Sequence, residues 1–193
     1  MKVGILSFQG SFLDHSKSIL SIGATPVLIK NVSDIYELDA LILPGGESTA
    51  MKKIDSYSKV FNLLDDFIKS GKPTLSTCAG TILLAKDVIG GDTTIPNIDI
   101  QVTRNAYGRQ TESFEGSVSF YDNNDIYCFI RAPKITKILT DKVEVIAKHN
   151  EEIVGVKQDN IVALTFHPEL NNDKYYLNWL DNFIKEGENV RTF

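Results

Sequence analysis

The sequence predicts an α/β fold: an open, mostly parallel sheet flanked by helices, with antiparallel strands added in the second half. Three observations carry this. In the first half, short apolar runs alternate with helical apolar stripes, the pattern of βαβ units and of a sheet buried on both faces. In the second half, β-rich runs follow one another with only short polar breaks. The chain has 193 residues, the length of about one domain, and a chain of this size buries roughly 70 % of its unfolded surface. Residues 1–193 are therefore read as a single domain.

Val3 to Phe8 is the first apolar run, ended by Gln9-Gly10. Phe12 to Ile22 reads as a helix closed by Gly23, and Thr25 to Ile29 as the next strand. Asp34 could cap a short turn behind it. Ala40 to Leu43 is a third strand, stopped by Pro44-Gly45-Gly46. Val60, Leu63, Leu64, Phe67 and Ile68 fall on one helical face that Gly71 ends. Thr74 to Thr77 is a short strand, and Thr81 to Ala85 begins another helix. Gly90 to Thr94 is a loop between the two halves. The β-rich runs are Phe114 to Tyr121, Asp125 to Ile130, Val143 to His149, Glu152 to Val156 and Ile161 to Phe166. Residues 149–152 and 158–160 read as hairpin turns. Tyr176, Leu177, Leu180, Phe183 and Ile184 form a last helical stripe before Gly187.

Composition removes several classes. Apolar residues make up 42 % and charged residues 23 %, which excludes disorder. The net charge is −5 with no Lys/Arg cluster, which argues against nucleic acid and membrane surfaces as partners. Two cysteines without CxxC spacing make neither a disulfide framework nor a zinc site. No apolar run approaches the ~20 residues of a membrane span. The N-terminus turns polar at Gln9 and Asp14, too early for a signal peptide. The expectation is a soluble, cytoplasmic protein.

Three segments carry chemistry. Pro73 to Ala85 runs from a short strand through Ser76-Thr77-Cys78-Ala79-Gly80 into a helix. Small residues two before and two after a cysteine suit a nucleophile elbow, where a strained turn lifts the nucleophile above the sheet. A helix N-terminus directly behind Cys78 would favour its thiolate. The alternative is a buried cysteine in an ordinary turn. Ile161 to Leu170 runs from a buried strand into His167-Pro168-Glu169. A nucleophilic cysteine needs a base, and the base needs a group that orients it. In an extended backbone, His167 and Glu169 project to the same side. The alternative is a polar turn. Leu41 to Thr49 ends a strand in Gly45-Gly46, which suits an oxyanion hole of backbone donors or a plain glycine turn. His15 and His149 are read as structural or solvated, Cys128 as core, and the Lys52-Lys53 and Asp65-Asp66 pairs as solvated.

In this order the segments resemble the triad-type (class I) glutamine amidotransferases. Phe8-Gln9-Gly10, Leu43 to Thr49, Thr77 to Gly80, Arg104 to Gln110, Phe129 to Pro133 and Phe166 to Leu170 are similar to the glutaminase subunits of pyridoxal 5'-phosphate synthase. The resemblance implies a three-layer sheet and hydrolysis of L-glutamine to glutamate and ammonia. It implies Cys78 as nucleophile, His167 as general base and acid, and Glu169 as orienter of His167. It implies that Gly46, Glu47 and Ser48 hold glutamine together with Arg104, Ile130 and Arg131. Backbone N–H groups near Gly46 and Ala79 would stabilise the oxyanion, and the Gln9-Gly10 peptide would reorient when a synthase subunit docks. That partner would be a separate (β/α)8 chain, in assemblies of up to twelve plus twelve. No metal or organic cofactor is implied. Ser76 stands where this family usually has glycine, and Ser7-Phe8 where it usually has Ala-Leu. Another glutaminase of the superfamily, or a non-enzymatic subunit on the same fold, are the competing readings.

Overall fold

The computed structural model describes residues 1–107, 113–171 and 173–186. Strands and helices follow in the order β1 (Lys2–Leu6), α1 (Phe12–Ser21), β2 (Thr25–Ile29), β3 (Ala40–Leu43), α2 (Ser48–Ser58), α3 (Val60–Lys69) and β4 (Thr74–Thr77). Then come α4 (Ala79–Leu84), β5 (Ala85–Ile89), β6 (Ile98–Thr103), β7 (Ser113–Phe120) and β8 (Asn123–Ile130). The chain continues with β9 (Lys134–Ile138), β10 (Glu144–His149), β11 (Glu152–Gln158), β12 (Ile161–Leu164) and α5 (Lys174–Glu186). Single 3-10 turns sit at Val32–Ile35 and Pro168–Leu170.

Among the described residues one sheet has nine strands, ordered β2-β1-β3-β4-β12-β11-β10-β7-β8. From β2 to β12 all neighbours are parallel; from β12 to β8 all are antiparallel. The α/β class and the antiparallel addition both agree with the sequence pattern. β12 of the second half inserts beside β4 of the first, so both halves share one sheet. β5, β6 and β9 form a second, smaller sheet.

The central strands are apolar without interruption because both faces are covered. Leu41 and Leu43 face a cluster with Val60, Leu64, Phe67 and Ile68 of α3. Ala40 and Ile42 face the opposite cluster, with Ile19 of α1 and Tyr176, Leu180, Phe183 and Ile184 of α5. This period-two division makes three layers, and each fully buried side chain of this size contributes about 1.5–3 kcal/mol.

Both hairpin turns fall where expected. His149 pairs with Glu152 and Gln158 with Ile161. Each two-residue loop opens on a residue that tolerates the left-handed region, Asn150 (φ 53°) and Asp159 (φ 51°). Four elements lie outside the expectations. α2 has only Ser48 and Met51 buried, so it shows no apolar stripe; it starts because the Glu47 carboxylate accepts from the N–H groups of Thr49 and Ala50. β5 follows α4 with no turn residue between them, so the helix expected to continue through Ala85 stops at Leu84. β6 buries Ile98, Ile100 and Val102 in strict alternation, and β9 is short, with Ile135 its one buried residue. The expected closure of α5 at Gly187 lies outside the described residues.

Candidate active site

β1, β3, β4 and β12 are adjacent in the sheet, and the sequence segments picked out for chemistry follow the carboxyl ends of these strands. In open α/β sheets this edge is where ligands gather. Cys78 follows β4 with φ 46° and ψ −105°, outside the regions L-residues ordinarily occupy. The turn is held by Cys78 N–H donating to the Leu164 carbonyl at 2.9 Å. Gly80 lies against the Leu43 carbonyl, where a Cβ would come within 2.0 Å. That crowding is the physical reason for a small residue two after Cys78. Ser76 fits without strain: it is fully buried, and its hydroxyl lies 3.1 Å from that of Thr81, which donates to the Leu164 carbonyl at 2.6 Å. The Cys78 thiol donates to the Ile130 carbonyl at 3.5 Å.

His167 follows β12 and is buried, its N–H donating to the Cys128 carbonyl at 2.9 Å. Its imidazole rests over Gly45, where a Cβ would sit 2.2 Å from Cε1. Nδ1 lies 2.8 Å from Glu169 Oε1. A carboxylate only accepts, so Nδ1 carries the hydrogen and Nε2 is left as the basic nitrogen. The backbone route differs from the expected extended one. Pro168–Leu170 is a 3-10 turn, so Glu169 reaches His167 within a single tight turn. Burial works against a charged imidazole, but the Glu169 carboxylate and the neighbouring Cys78 outweigh it and hold the pKa of His167 well above its ordinary value. Glu169 is fully buried. Burial would raise its pKa, yet His15 and His167 hold it well below the usual carboxylate range.

The remaining expected site residues follow β1, β3 and β4 of the large sheet, end or follow β8, or, for Arg104, follow β6 of the smaller sheet. The Gln9 side-chain oxygen accepts from the Glu47 N–H. Gly10 has φ 95°, and a Cβ there would lie 1.7 Å from the Gly45 oxygen, so only glycine lets the two loops touch. Glu47 caps α2 and pairs with Arg104 at 3.2 Å. Arg104 also donates to Thr49 Oγ1 at 3.1 Å and to the Gly90 carbonyl at 3.4 Å. Ser48 follows Glu47 and is buried, and Ala79 follows Cys78 directly. Ile130 reaches the site through its carbonyl, and Arg131 follows it with φ 47°. Of the segment Arg104 to Gln110, residues 108–110 lie outside the described residues. Among the described residues, no group of three or more His, Cys, Asp or Glu side chains is arranged to hold a metal ion, and no helix is long and apolar enough to cross a membrane.

A family model described as the SNO glutamine amidotransferase family matches residues 5–189. The chain belongs to the SNO glutamine amidotransferase family. Two relatives carry the name pyridoxal 5'-phosphate synthase subunit PdxT. One, from Methanocaldococcus jannaschii, is 44 % identical over 96 % of this chain and 100 % of its own length. The other, from Bacillus cereus, is 43 % identical over 97 % of each chain. A solved structure titled as a glutamine amidotransferase superposes with a TM-score of 0.87 at 32 % identity, covering 95 % of this chain and 98 % of that one. The structure of PurLQS from Thermotoga maritima shares the fold, with a TM-score of 0.66 at 16 % identity over 96 % of each chain.

Within this SNO-family site, three residues escaped the sequence reading: Ser11, His15 and Thr77. Ser11 Oγ donates to Glu169 Oε1 at 2.8 Å. His15 is fully buried, which fits the structural rather than the solvated of its two readings, and its Nε2 faces Glu169 and Thr77. A signal was present: His15 interrupts the apolar stripe Phe12, Ile19, Ile22 and stands four residues after Ser11, on one face of α1. Of the structural and solvated readings of His149, the structural one fits, with Nδ1 2.8 Å from the Ser117 carbonyl and its ring beside Phe114 and Phe129. Cys128 departs from its core reading. It is half-buried on the edge strand β8, with its sulfur 3.8 Å from Glu115.

Proposed function

We propose that this chain hydrolyses L-glutamine to L-glutamate and ammonia, and delivers the ammonia to the synthase chain of a pyridoxal 5'-phosphate synthase. The observation that carries the reading is Cys78 on a strained strand-to-helix turn beside the buried His167–Glu169 pair. Two PdxT relatives that cover nearly the whole chain support the assignment to this synthase. The same reading takes residues 1–193 as one glutaminase domain, which the shared sheet supports. It places the chain in the cytoplasm, where its two free cysteines suit a reducing environment.

The Cys78 thiolate attacks the side-chain carbonyl carbon of glutamine. The oxyanion is held by backbone N–H groups near Gly46 and Ala79. The His167 imidazolium gives its Nε2 proton to the leaving nitrogen, so ammonia departs and a thioester remains on Cys78. Water, losing a proton to His167, attacks the thioester, and glutamate leaves as the thiolate returns. Glu169 keeps His167 in the orientation that both proton transfers need. Gly46, Glu47, Ser48, Arg104, Ile130 and Arg131 hold the substrate, with Glu47 and Arg104 supplying opposite charges for its amino and carboxylate ends. The Gln9-Gly10 peptide reorients on docking of the synthase chain and completes the oxyanion hole. The assembly holds up to twelve of each chain.

Glutamate release measured with and without a synthase chain tests this. Release is expected to rise when that chain is added; equal release without it would remove the switch at Gln9-Gly10. Arg104→Ala is expected to raise KM by about 10–100-fold, because a charge-assisted contact to the substrate is lost. An unchanged KM would take Arg104 out of the binding set.

A further inference from the structure

We propose that His15 is a positioning residue of this site: its Nε2–H holds Glu169 directly and, through the Thr77 hydroxyl, the Gly45 backbone beneath His167. The inference rests on the glutaminase reading above. His15 Nε2 lies 3.1 Å from Thr77 Oγ1 and 3.4 Å from Glu169 Oε1. The carboxylate accepts only, so Nε2 carries the hydrogen. Thr77 Oγ1 in turn accepts the Gly45 N–H at 3.1 Å.

Each contact ends on a different part of the machinery. Thr77 immediately precedes Cys78 at the end of β4. Gly45 follows β3 and carries the His167 ring, with no room for even a Cβ between them. Glu169 lies in the 3-10 turn after β12. One imidazole from α1 therefore braces the turns after three adjacent strands. An imidazole with no exposed surface, set in the apolar stripe of α1, is costly unless its polar atoms are paired. Here Nε2 is paired to two triad-supporting groups, while Nδ1 has no hydrogen-bond partner among the described residues. The polarity of His15 is thus directed at the site alone. The groups that face Glu169 with it are Ser11 at the start of α1, His167 at the end of β12, and the buried Tyr176 of α5.

The test is steady-state glutaminase kinetics of the full chain assembled with its synthase chain, for wild type, Cys78→Ala, His15→Leu, His15→Gln and Thr77→Val. His15→Leu is expected to lower kcat about 10–100-fold with KM unchanged, since it removes a hydrogen bond to a charged group that never touches substrate. His15→Gln, whose side-chain amide can place an N–H near Nε2, is expected to stay within about fivefold of wild type. Thr77→Val is expected to lower kcat as well, and to combine with His15→Leu less than additively. A His15→Leu kcat within twofold of wild type would overturn the inference, as would a Gln variant no better than the Leu variant. If His15→Leu does not fold, a wild-type kcat in Thr77→Val overturns it instead. Failure of wild type to release glutamate would bring down the glutaminase reading and this inference together. Wild-type release, lost in Cys78→Ala but unaltered in His15→Leu, would bring down this inference alone.

Discussion

Cys78→Ala is expected to lower glutamate release by about 10⁴-fold or more, in the assembled enzyme as in the isolated chain. Removing the nucleophile of a comparable triad costs on the order of 10⁶ in kcat, and what remains comes from oxyanion donors and binding. Here the covalent route needs the sulfur at one place only, above the edge of β4, and no neighbour can replace it. Cys128 is the other thiol, but it sits on β8, where burial and then the neighbouring Glu115 raise its pKa. The alanine variant should still fold. Its φ of 46° costs alanine much what it costs cysteine, and the Leu164 and Thr81 backbone contacts of the turn do not involve the sulfur. Thermal unfolding within a few degrees of wild type, beside lost turnover, is the expected pair of results. Turnover near the wild-type rate would remove Cys78 from the mechanism.

Glu169→Gln is expected to lower kcat about 10³–10⁴-fold while KM changes little. The equivalent loss of charge at the third member of a serine triad costs about 10⁴. Oε1 of Glu169 receives Ser11 Oγ and His167 Nδ1, both at 2.8 Å, with His15 Nε2 at 3.4 Å. An amide either keeps its oxygen there without the charge or turns an NH2 toward three donors. In both cases His167 loses the carboxylate that holds its pKa up. The stability profile should change with it. The folded pKa of Glu169 lies below the unfolded value of 4.5, so its contribution is full above about pH 4.5 and is lost as pH falls through the folded value. That of His167 has the opposite sign: full below about pH 6.5 and lost as pH rises through its raised folded value. Melting temperatures across pH 2–6 should therefore fall less steeply in Glu169→Gln than in wild type. Matching slopes would show that Glu169 is not held ionised by this pair.

Most of the fold was legible because its central strands are short, apolar and ended by glycine, proline or a reactive segment. β2, β3 and β4 begin and end where the apolar runs do. α2 was not legible, since its start depends on the Glu47 side chain rather than on an apolar stripe. The small sheet was missed for another reason. β5 abuts a helix without a breaker, and β6 alternates over only six residues just beyond the Gly90 to Thr94 loop. At the site, Cys78, His167 and Glu169 were legible because the chemistry demands those residue types beside small or rigid neighbours. His15 was legible only in part: it breaks the apolar stripe of α1, but what a lone histidine on a helix meets is decided by what the helix packs against.

The sequence by itself therefore determined the candidate site side chains and the strands that carry them, because covalent chemistry and tight turns restrict residue type locally. Only the tertiary structure decided which strand ends are neighbours. β12, separated from β4 by more than eighty residues of chain, pairs with it Leu164 to Thr77 and so brings His167 beside Cys78. It also decided how Glu169 is held, by α1 as well as by its own turn. Strand order and helix docking follow from burying apolar faces across the whole chain, and no local pattern of residues records that outcome.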